Sequence, residues 1–469
     1  MGTFKELFEG NEALFRGLAI HDGWDWSKKY PVIKIDFASG VLTSREDLRI
    51  RIVHLLKENA RNLGVEIDWD TDLAGMLENL VSKTAEHYEA PVVLLVDEYD
   101  KPLLDNIEDR SRTLEMRDGL KDFYSPLKRL DSLLQFVFLT GVSKFSKVNI
   151  FSGINNLKDL TLDANYATIC GYTQADLETD FAEHLVGVDW DELKFWYNGY
   201  NFLGEPVYNP FDTLLFISEN HNYRNFWFQS GTPTFLIKLL QKNRYFLPDL
   251  ENIQVSDNQL DSFEVDSIPP AVLLFQSGYL TIASTYRKMN RIFYKLKIPN
   301  QEVVSALSDS LFSGYTLIQD QQVPFQTGTY DAMLAGNLGA LEATLRRMFD
   351  AIPWRNFTNN DIADYEGYYA SVLYAFFVSI TGTVIPEDTT NHGQADLTVR
   401  LENNIYVMGI KVIANKVPAG STNSALEQIR LRDYARKYLG QSGVRVFELG
   451  LVFSQSKRNL VQFAGAERV

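Results

Sequence analysis

The sequence predicts an α/β protein with three domains, and three observations lead to this prediction. The chain has 469 residues, more than one hydrophobic core usually holds, and 45% of them are apolar, an ordinary globular share. In its first part, apolar runs of strand length alternate with segments of helical spacing, which is typical of a parallel sheet. The pattern changes near residues 230 and 330, so we predict domains at 1–230, 231–330 and 331–469.

Three strands and two helices define the first domain. Residues 30–37 are rich in β-branched side chains and are bounded by a proline and a Ser-Gly turn, which predicts a strand. Residues 44–65 and 71–88 have the apolar spacing of helices. The continuous apolar runs 91–97 and 134–140 predict parallel strands that are covered on both faces.

The two later domains have different patterns. The middle domain combines short helices with a hairpin-like pair at 278–282 and 292–296, which suggests a small winged-helix-like unit. The last domain is of mixed α/β type, with predicted strands at 383–387, 395–401, 404–412 and 446–452 and a predicted helix at 423–439.

Charge is distributed unevenly along the chain. The net charge of −16 argues against a protein that coats nucleic acid or an anionic membrane through its overall charge. Residues 331–469 contain 14 Lys and Arg and 14 Asp and Glu, so the whole acidic excess lies in residues 1–330. Only the last domain is therefore expected to approach a polyanion without strong repulsion. The alternative is that charge varies between domains for solubility alone.

The cysteine content and hydropathy favour a cytoplasmic protein. Cys170 is the single cysteine, which excludes an intrachain disulfide and a cysteine-built zinc site and favours a reducing compartment. No apolar run reaches the length of about 18 residues that spans a bilayer, and the start of the chain lacks a signal-peptide pattern. We therefore expect no membrane partner.

An acidic segment follows the most apolar predicted strand. Asp97, Glu98 and Asp100 lie at its carboxyl end, where ligands bind in open α/β sheets. In a nucleoside triphosphatase, the first acid holds Mg²⁺ and the second orients or deprotonates the attacking water. The alternative is a buried strand that runs into an acidic surface turn.

The matching phosphate-binding loop is absent from this sequence. Such a loop has the pattern G-x-x-x-x-G-K-[ST], in which backbone N–H groups and the lysine hold the phosphates. None of the 29 glycines is followed by lysine. We therefore expect ATP to bind weakly.

Six segments of the chain together carry a resemblance to a known family. They are Val92–Leu104 (VVLLVDEYDKPLL), Leu139–Leu157 (LTGVSKFSKVNIFSGINNL), Ile169–Leu177 (ICGYTQADL), Trp196–Tyr200 (WYNGY), Tyr208–Pro210 (YNP) and Trp227–Leu236 (WFQSGTPTFL). They resemble the bacterial predicted AAA-ATPase-like family, whose members carry a C-terminal PD-(D/E)XK nuclease-superfamily domain. The resemblance covers nearly the whole chain. It implies a P-loop-NTPase-like parallel sheet domain, a helical or winged-helix-like connector, and a restriction-endonuclease-like α/β domain.

The resemblance implies roles for residues of a nucleotide site. Asp97 and Glu98 match the family's Walker B acids, so Asp97 is the expected Mg²⁺ ligand beside ATP. Thr140 and Ser143 match the position of a polar sensor of the γ-phosphate, and a helix cap is the alternative for Ser143. Family members begin further upstream, with a strand and a phosphate loop that this chain lacks. A shortened gene, a misassigned start and deliberate trimming would each explain the difference.

The resemblance also implies a metal-dependent nuclease site in the last domain. Asp396 matches the acid at the start of one strand, and Lys411 matches the lysine of the next strand. In the superfamily, carboxylates here bind Mg²⁺ ions that activate water, and the lysine supports the developing charge. Glu366 matches an acid on the domain's first helix, and Gln428 matches a polar position on a later helix. The expected metal ligands are Asp396 and Glu366.

One position departs from the family pattern. Gly409 stands two residues before Lys411, where the family has Glu, and glycine cannot ligate a metal through a side chain. Either Glu366 or Glu427 could replace the missing ligand, because carboxylates relocate within this superfamily. Otherwise the remaining residues hold a metal weakly or hold DNA without cutting it. His392 is a weaker metal candidate, since an exposed turn histidine is commoner.

Three functions remain open on the sequence alone. The first is an enzyme lineage, an ATP-dependent switch coupled to Mg²⁺-dependent DNA cleavage in defence or mobile-element biology. The second is a catalytically degenerate module that binds nucleic acid or protein. The third is a scaffold that self-associates.

Overall fold

A computed structural model describes most of the chain. It covers residues 1–143, 157–226, 234–243, 245–261, 269–318, 320–353, 366–381, 383–415 and 421–468. The chain forms two compact units, one of Met1–Leu160 with Ser256–Ser277 and the other of Thr161–Val255 with Gly278–Val469. We call them the first and second units. The three predicted domain ranges stay predictions, because compact units in space and family domains in sequence need not share boundaries.

Both units contain helices and strands. The helices are α1 Gly2–Phe8, α2 Arg45–Leu63, α3 Leu73–Tyr88, α4 Lys101–Leu104, α5 Arg110–Tyr124, α6 Gln174–Thr179, α7 Trp190–Tyr197, α8 Pro210–Ser218, α9 Thr234–Lys242, α10 Asp257–Asp261, α11 Pro270–Gln276, α12 Gln301–Thr316, α13 Gln322–Ala335, α14 Leu338–Asp350, α15 Glu366–Thr381 and α16 Ser424–Leu431. The strands are β1 Val32–Asp36, β2 Val92–Asp97, β3 Leu134–Leu139, β4 Gln254–Ser256, β5 Thr281–Lys288, β6 Arg291–Lys297, β7 Val384–Thr390, β8 Gly393–Leu401, β9 Asn404–Ile413, β10 Arg445–Ser454 and β11 Asn459–Arg468.

A parallel sheet forms the centre of the first unit. Its order is β1-β2-β3, and both neighbours pair with β2 in parallel register. The apolar residues of β2 are fully buried, as a central strand covered on both faces requires. Because the three strands are parallel, their carboxyl ends lie at one edge of the sheet. This arrangement confirms the predicted α/β class and the predicted strands.

A five-stranded mixed sheet forms the C-terminal part of the second unit. Its order is β11-β10-β9-β8-β7, with β9 and β10 parallel and the other pairs antiparallel. Helix α16 packs on β9 and β10, and helix α15 contacts β7, β8 and β9. The fold agrees with the predicted restriction-endonuclease-like domain.

Two details of this sheet differ from the sequence-based prediction. The helix predicted at 423–439 is interrupted, because α16 ends at Leu431 and a short 3₁₀-helix covers Tyr434–Tyr438. Asp433 between them has φ +50° and pairs with Arg468 at 2.7 Å, which fixes the break. Strand β11 is an additional strand that the sequence analysis did not predict.

The predicted hairpin forms a separate small sheet. Strands β5 and β6 pair in antiparallel register, and β4 lies on the other side of β6. The observed strands are longer than the predicted pair at 278–282 and 292–296. None of the helices in the described ranges is long and apolar enough to cross a bilayer.

Candidate active sites

Three polar residues lie close together at the carboxyl ends of β1, β2 and β3. Asp36 and Asp97 are neighbours in the parallel register of β1 and β2. The Thr140 hydroxyl, just after β3, donates a hydrogen bond to Asp97 Oδ1 at 2.5 Å. Thr140 therefore stands beside the acid that was expected to bind Mg²⁺, as a polar sensor would.

Crowding of acids perturbs this edge of the sheet. Burial raises the pKa of Glu98, and the nearby charges of Asp100, Asp97 and Asp36 raise it further. Glu98 also has φ +53°, an uncommon backbone conformation for a residue other than glycine. A cation that bound among these carboxylates would relieve their repulsion.

Asp100 organises the loop after β3, a role that the sequence analysis did not assign. Its carboxylate is fully buried and accepts hydrogen bonds from the Val142 N–H, the Ser143 N–H and the Ser143 hydroxyl. Burial raises the pKa of Asp100, although these hydrogen bonds oppose the shift. Ser143 is thus bound to Asp100, and Thr140 is the residue in contact with Asp97.

Close packing at Gly141 also holds the loop after β3 against Asp100. A side-chain carbon at Gly141 would lie 2.2 Å from Asp100 Oδ1, so only glycine fits. The Tyr99 hydroxyl donates to the Ser143 carbonyl at 2.9 Å. Packing and hydrogen bonds therefore hold residues 97–100 (DEYD) against residues 139–143 (LTGVS). Lys144, which follows Ser143 in the sequence, lies outside the described residues.

The predicted nuclease acid is held against the strand that carries the predicted lysine. The amide of Ile410 in β9 donates to Asp396 Oδ2 at 2.6 Å. Lys411 follows directly and is partly buried. Among the residues that the structure describes, the Lys411 ammonium forms no ion pair or hydrogen bond. Asp396 and Lys411 are thus on neighbouring strands, as expected.

Gly409 lies beneath helix α16. It pairs with Gly450 in the parallel register of β9 and β10. A side-chain carbon at Gly409 would lie 3.1 Å from the Ala425 carbonyl oxygen and 3.2 Å from two carbons of Ile429. At Gly450 the added carbon would lie 2.3 Å from Asn423 Oδ1. The glycine pair therefore lets α16 approach the sheet where the family has a carboxylate.

The remaining predicted nuclease residues are less closely associated. Glu366 begins helix α15, but its side chain lies outside the described residues. Gln428 is exposed and its Nε2 lies 3.5 Å from the Tyr434 hydroxyl, and Glu427 is also exposed. His392 lines a surface pocket with Leu431, Arg432 and Asp433. Within the ranges that the structure describes, no group of three His, Cys, Asp or Glu side chains is arranged to hold a metal.

A second buried acidic feature lies in the second unit. Asp212 in the first turn of α8 and Glu302 in the first turn of α12 are both fully buried. Burial and the neighbouring charge of Glu302 raise the pKa of Asp212 to about 9. The sequence does not mark either acid as buried, because an acid in the first turn of a helix usually interacts with the helix dipole at the surface.

Comparison with known proteins gives two family matches and one long relative. Residues 1–151 match the family described as "Predicted AAA-ATPase", and residues 364–463 match the family described as "PD-(D/E)XK nuclease superfamily". The chain is 44% identical over 464 residues to an "Uncharacterized protein in vnfD 5'region" from Azotobacter chroococcum mcd 1. That similarity covers 99% of this chain and 88% of the relative. No solved structure matches significantly.

Proposed function

Because the chain belongs to the family that combines a predicted AAA-ATPase domain with a PD-(D/E)XK nuclease-superfamily domain, we propose that it is a nucleic-acid-binding protein with impaired cleavage. The observation that carries this proposal is Gly409 beneath helix α16, at the position of the family's second acid. A relation to DNA cleavage in defence or mobile-element biology is part of the proposal.

The residues around Asp396 favour binding over hydrolysis. In an intact site, carboxylates hold Mg²⁺, which activates water and stabilises the leaving oxygen. Here the described residues supply one such carboxylate, that of Asp396, and the Ile410 amide already occupies one of its oxygens. The side chain of Glu366, the other expected ligand, lies outside the described residues, so no hydrolytic step is assigned. The Lys411 ammonium is the group that would contact a phosphate of the bound strand.

The edge of the N-terminal sheet supports a second role, that of a nucleotide-dependent switch. Asp97 would hold Mg²⁺ through its carboxylate, Glu98 would orient the attacking water, and Thr140 would contact the γ-phosphate. The support is the Thr140 to Asp97 hydrogen bond at 2.5 Å and the clustering of acids around them. Asp100 would act through the Ser143 loop as a positioning residue. The sequence contains no phosphate-loop motif, so the expected affinity for Mg-ATP is low.

DNA binding and DNA cleavage are tested separately on the full chain. Binding is measured by fluorescence anisotropy with a labelled duplex, and nicking with supercoiled plasmid in Mg²⁺ or Mn²⁺. We expect the native protein to bind the duplex without nicking the plasmid, and Lys411→Ala to bind it several-fold more weakly. Nicking by the native protein that disappears in Asp396→Ala would contradict impaired cleavage.

A matched pair of variants at position 409 distinguishes the effect of a carboxylate from the effect of side-chain size. Gly409→Glu restores the acid, and Gly409→Gln has the same size without the charge. Both must displace helix α16 by a few tenths of an ångström. Nicking gained by Gly409→Glu and not by Gly409→Gln would identify the missing acid as the cause of impairment. Absence of DNA binding in every variant and in the native protein would refute the proposed function.

A further inference from the structure

The β5–β6 hairpin is a short, tightly turned ribbon in the second unit. Lys288 and Arg291 pair across its end, and only Met289 and Asn290 connect the two strands. Both connecting residues have positive φ, +52° and +58°, as a type I′ turn requires. Met289 has no special tolerance for this conformation, yet its side chain is 75% exposed at the tip. The tip thus carries backbone strain without a compensating burial of the methionine.

The hairpin is strongly basic although the whole chain is acidic. Residues 278–300 contain no Asp or Glu and carry five cations, Arg287, Lys288, Arg291, Lys295 and Lys297. All five side chains are exposed. Within the part of the chain that the structure describes, none of the five forms an ion pair. Their charge is therefore not neutralised by the described protein groups.

One face of the hairpin combines these cations with an aromatic stack. In an antiparallel pair, opposite residues share a face and alternate residues along a strand return to it. The pairs Ser284–Lys295, Tyr286–Phe293 and Lys288–Arg291 therefore lie on one face. The Tyr286 and Phe293 rings are stacked, with centroids 5.4 Å apart and planes at 13°.

The same face contains a pair of like charges and a fixed aromatic ring. Lys288 lies directly opposite Arg291, and like charges opposite each other across two strands are destabilising. Tyr286 is 38% exposed, and its hydroxyl is fixed by a hydrogen bond of 2.7 Å to Gln254 Oε1. An aromatic platform held in place and surrounded by unneutralised cations fits a polyanion with flat bases.

We propose that this face of the β5–β6 hairpin binds a DNA strand. Lys288, Arg291 and Lys295 would contact phosphates, and the Tyr286–Phe293 stack would contact sugars or bases. A two-stranded ribbon also has the width that the major groove of duplex DNA admits. The inference rests on the proposed nucleic-acid function, and it assigns the contact to a surface outside the nuclease-like sheet. An anionic membrane is disfavoured because Met289 is the one large apolar side chain at the exposed tip.

Anisotropy titrations with labelled duplex and single-stranded DNA, repeated over a series of salt concentrations, test the surface. The test variant is Lys288→Gln/Arg291→Gln/Lys295→Gln in the full chain. The matched control, Lys121→Gln/Lys128→Gln/Lys194→Gln, removes the same charge from exposed sites elsewhere. We expect the test variant to bind at least about tenfold more weakly near 0.1 M salt, with a salt slope smaller by roughly 2–3 for duplex. The control should stay within about twofold of the native protein.

The outcomes separate this inference from the function on which it rests. Native affinity in the test variant, with binding lost in Lys411→Ala, would overturn the hairpin surface and leave the proposed function standing. Absence of DNA binding by the native protein would overturn both. Binding to phosphatidylserine vesicles in place of DNA would also overturn the hairpin proposal. A larger loss for single strands than for duplex would identify stacking on Tyr286 as the main contact. Unchanged thermal unfolding of the test variant would exclude misfolding as the cause of weaker binding.

Discussion

The buried acid pair of the second unit predicts a pH dependence that one substitution removes. Asp212 and Glu302 face each other from the first turns of two helices. The Phe226 N–H donates a hydrogen bond to Glu302 Oε1 at 2.5 Å. The nearby hydroxyls of Tyr197 and Tyr200 have pKa values raised by burial and by these acids. Because burial and Glu302 raise the pKa of Asp212, we expect Asp212 to hold a proton at neutral pH. We choose Asp212→Asn as the perturbation.

The sign and size of the change in the free energy of unfolding follow from the raised pKa of Asp212. The pKa of Asp212 is raised from 3.8 to about 9 by burial and by Glu302, so this group takes up a proton on folding between those values. Its contribution to stability is full below the unfolded pKa and is lost as the pH rises through the folded pKa. The slope is at most about 1.4 kcal/mol per pH unit. Asparagine is neutral in both the folded and the unfolded state. The free energy of unfolding of the variant, relative to that of the native protein, should therefore rise by up to about 4 kcal/mol between pH 5 and pH 8.

Urea unfolding at several pH values measures this difference. Trp196 packs in the same aromatic cluster, so its fluorescence reports on the region that contains the pair. Asp191→Asn, which removes an exposed acid from helix α7, is the matched control and should follow the native pH profile. If Asp212→Asn and the native protein lost stability in parallel from pH 5 to pH 8, a neutral buried Asp212 would be refuted.

The other predictions concern packing, loop anchoring, nucleotide affinity and a helix end. Gly450→Ala should lower the free energy of unfolding by about 1–3 kcal/mol more than Gly409→Ala in a thermal or urea unfolding series, because its added carbon would lie 2.5 Å from the Leu426 backbone nitrogen. Equal losses in the two variants would contradict this packing argument. Asp100→Ala should cost about 2–4 kcal/mol, since it leaves three donors of the Ser143 loop, two of them buried, without an acceptor, and hydrogen exchange of that loop should rise. Calorimetry should give Mg-ATP binding weaker than micromolar, and micromolar affinity would refute this. Glu89→Gly should stabilise by roughly 1 kcal/mol, because Glu89 ends helix α3 with φ +48°; an unchanged melting temperature would count against it.

The elements of the fold that have strong local signals could be predicted from the sequence. The apolar run that became β2 needs burial on both faces, and a parallel central strand is the simplest structure that provides it. The interruption after α16 could not be predicted in the same way. It depends on the Asp433 to Arg468 ion pair, which joins residues 35 positions apart and forms only after β11 is in place. Long-range contacts of this kind leave no local pattern.

The candidate sites show the same division between local and tertiary information. Asp97 ends β2 and Asp396 lies within β8, so their positions could be predicted from the strands that carry them. Asp100 follows the same strand, but its role depends on a loop 43 residues further along the chain. The burial of Asp212 likewise results from the packing of α8 against residues near Glu302. A short sequence window contains no information on either contact.

The glycine pair Gly409–Gly450 bears on the proposed impairment of cleavage. A lone replacement of Glu by Gly in a buried strand would leave a void, and voids are costly in close-packed interiors. Instead, Gly450 stands directly opposite Gly409, and the N-terminal turn of helix α16 occupies the space above both. The Asn423 side chain that begins this helix also donates to the Gly450 carbonyl at 3.0 Å, so the helix is bound where it sits. The packing around position 409 is therefore adapted to glycine, which supports the proposed binding role and disfavours a recent inactivating change. It follows that Gly409→Glu alone should nick plasmid poorly, and that a second change which shortens Ile429, two carbons of which would lie 3.2 Å from a side-chain carbon at position 409, should increase the nicking.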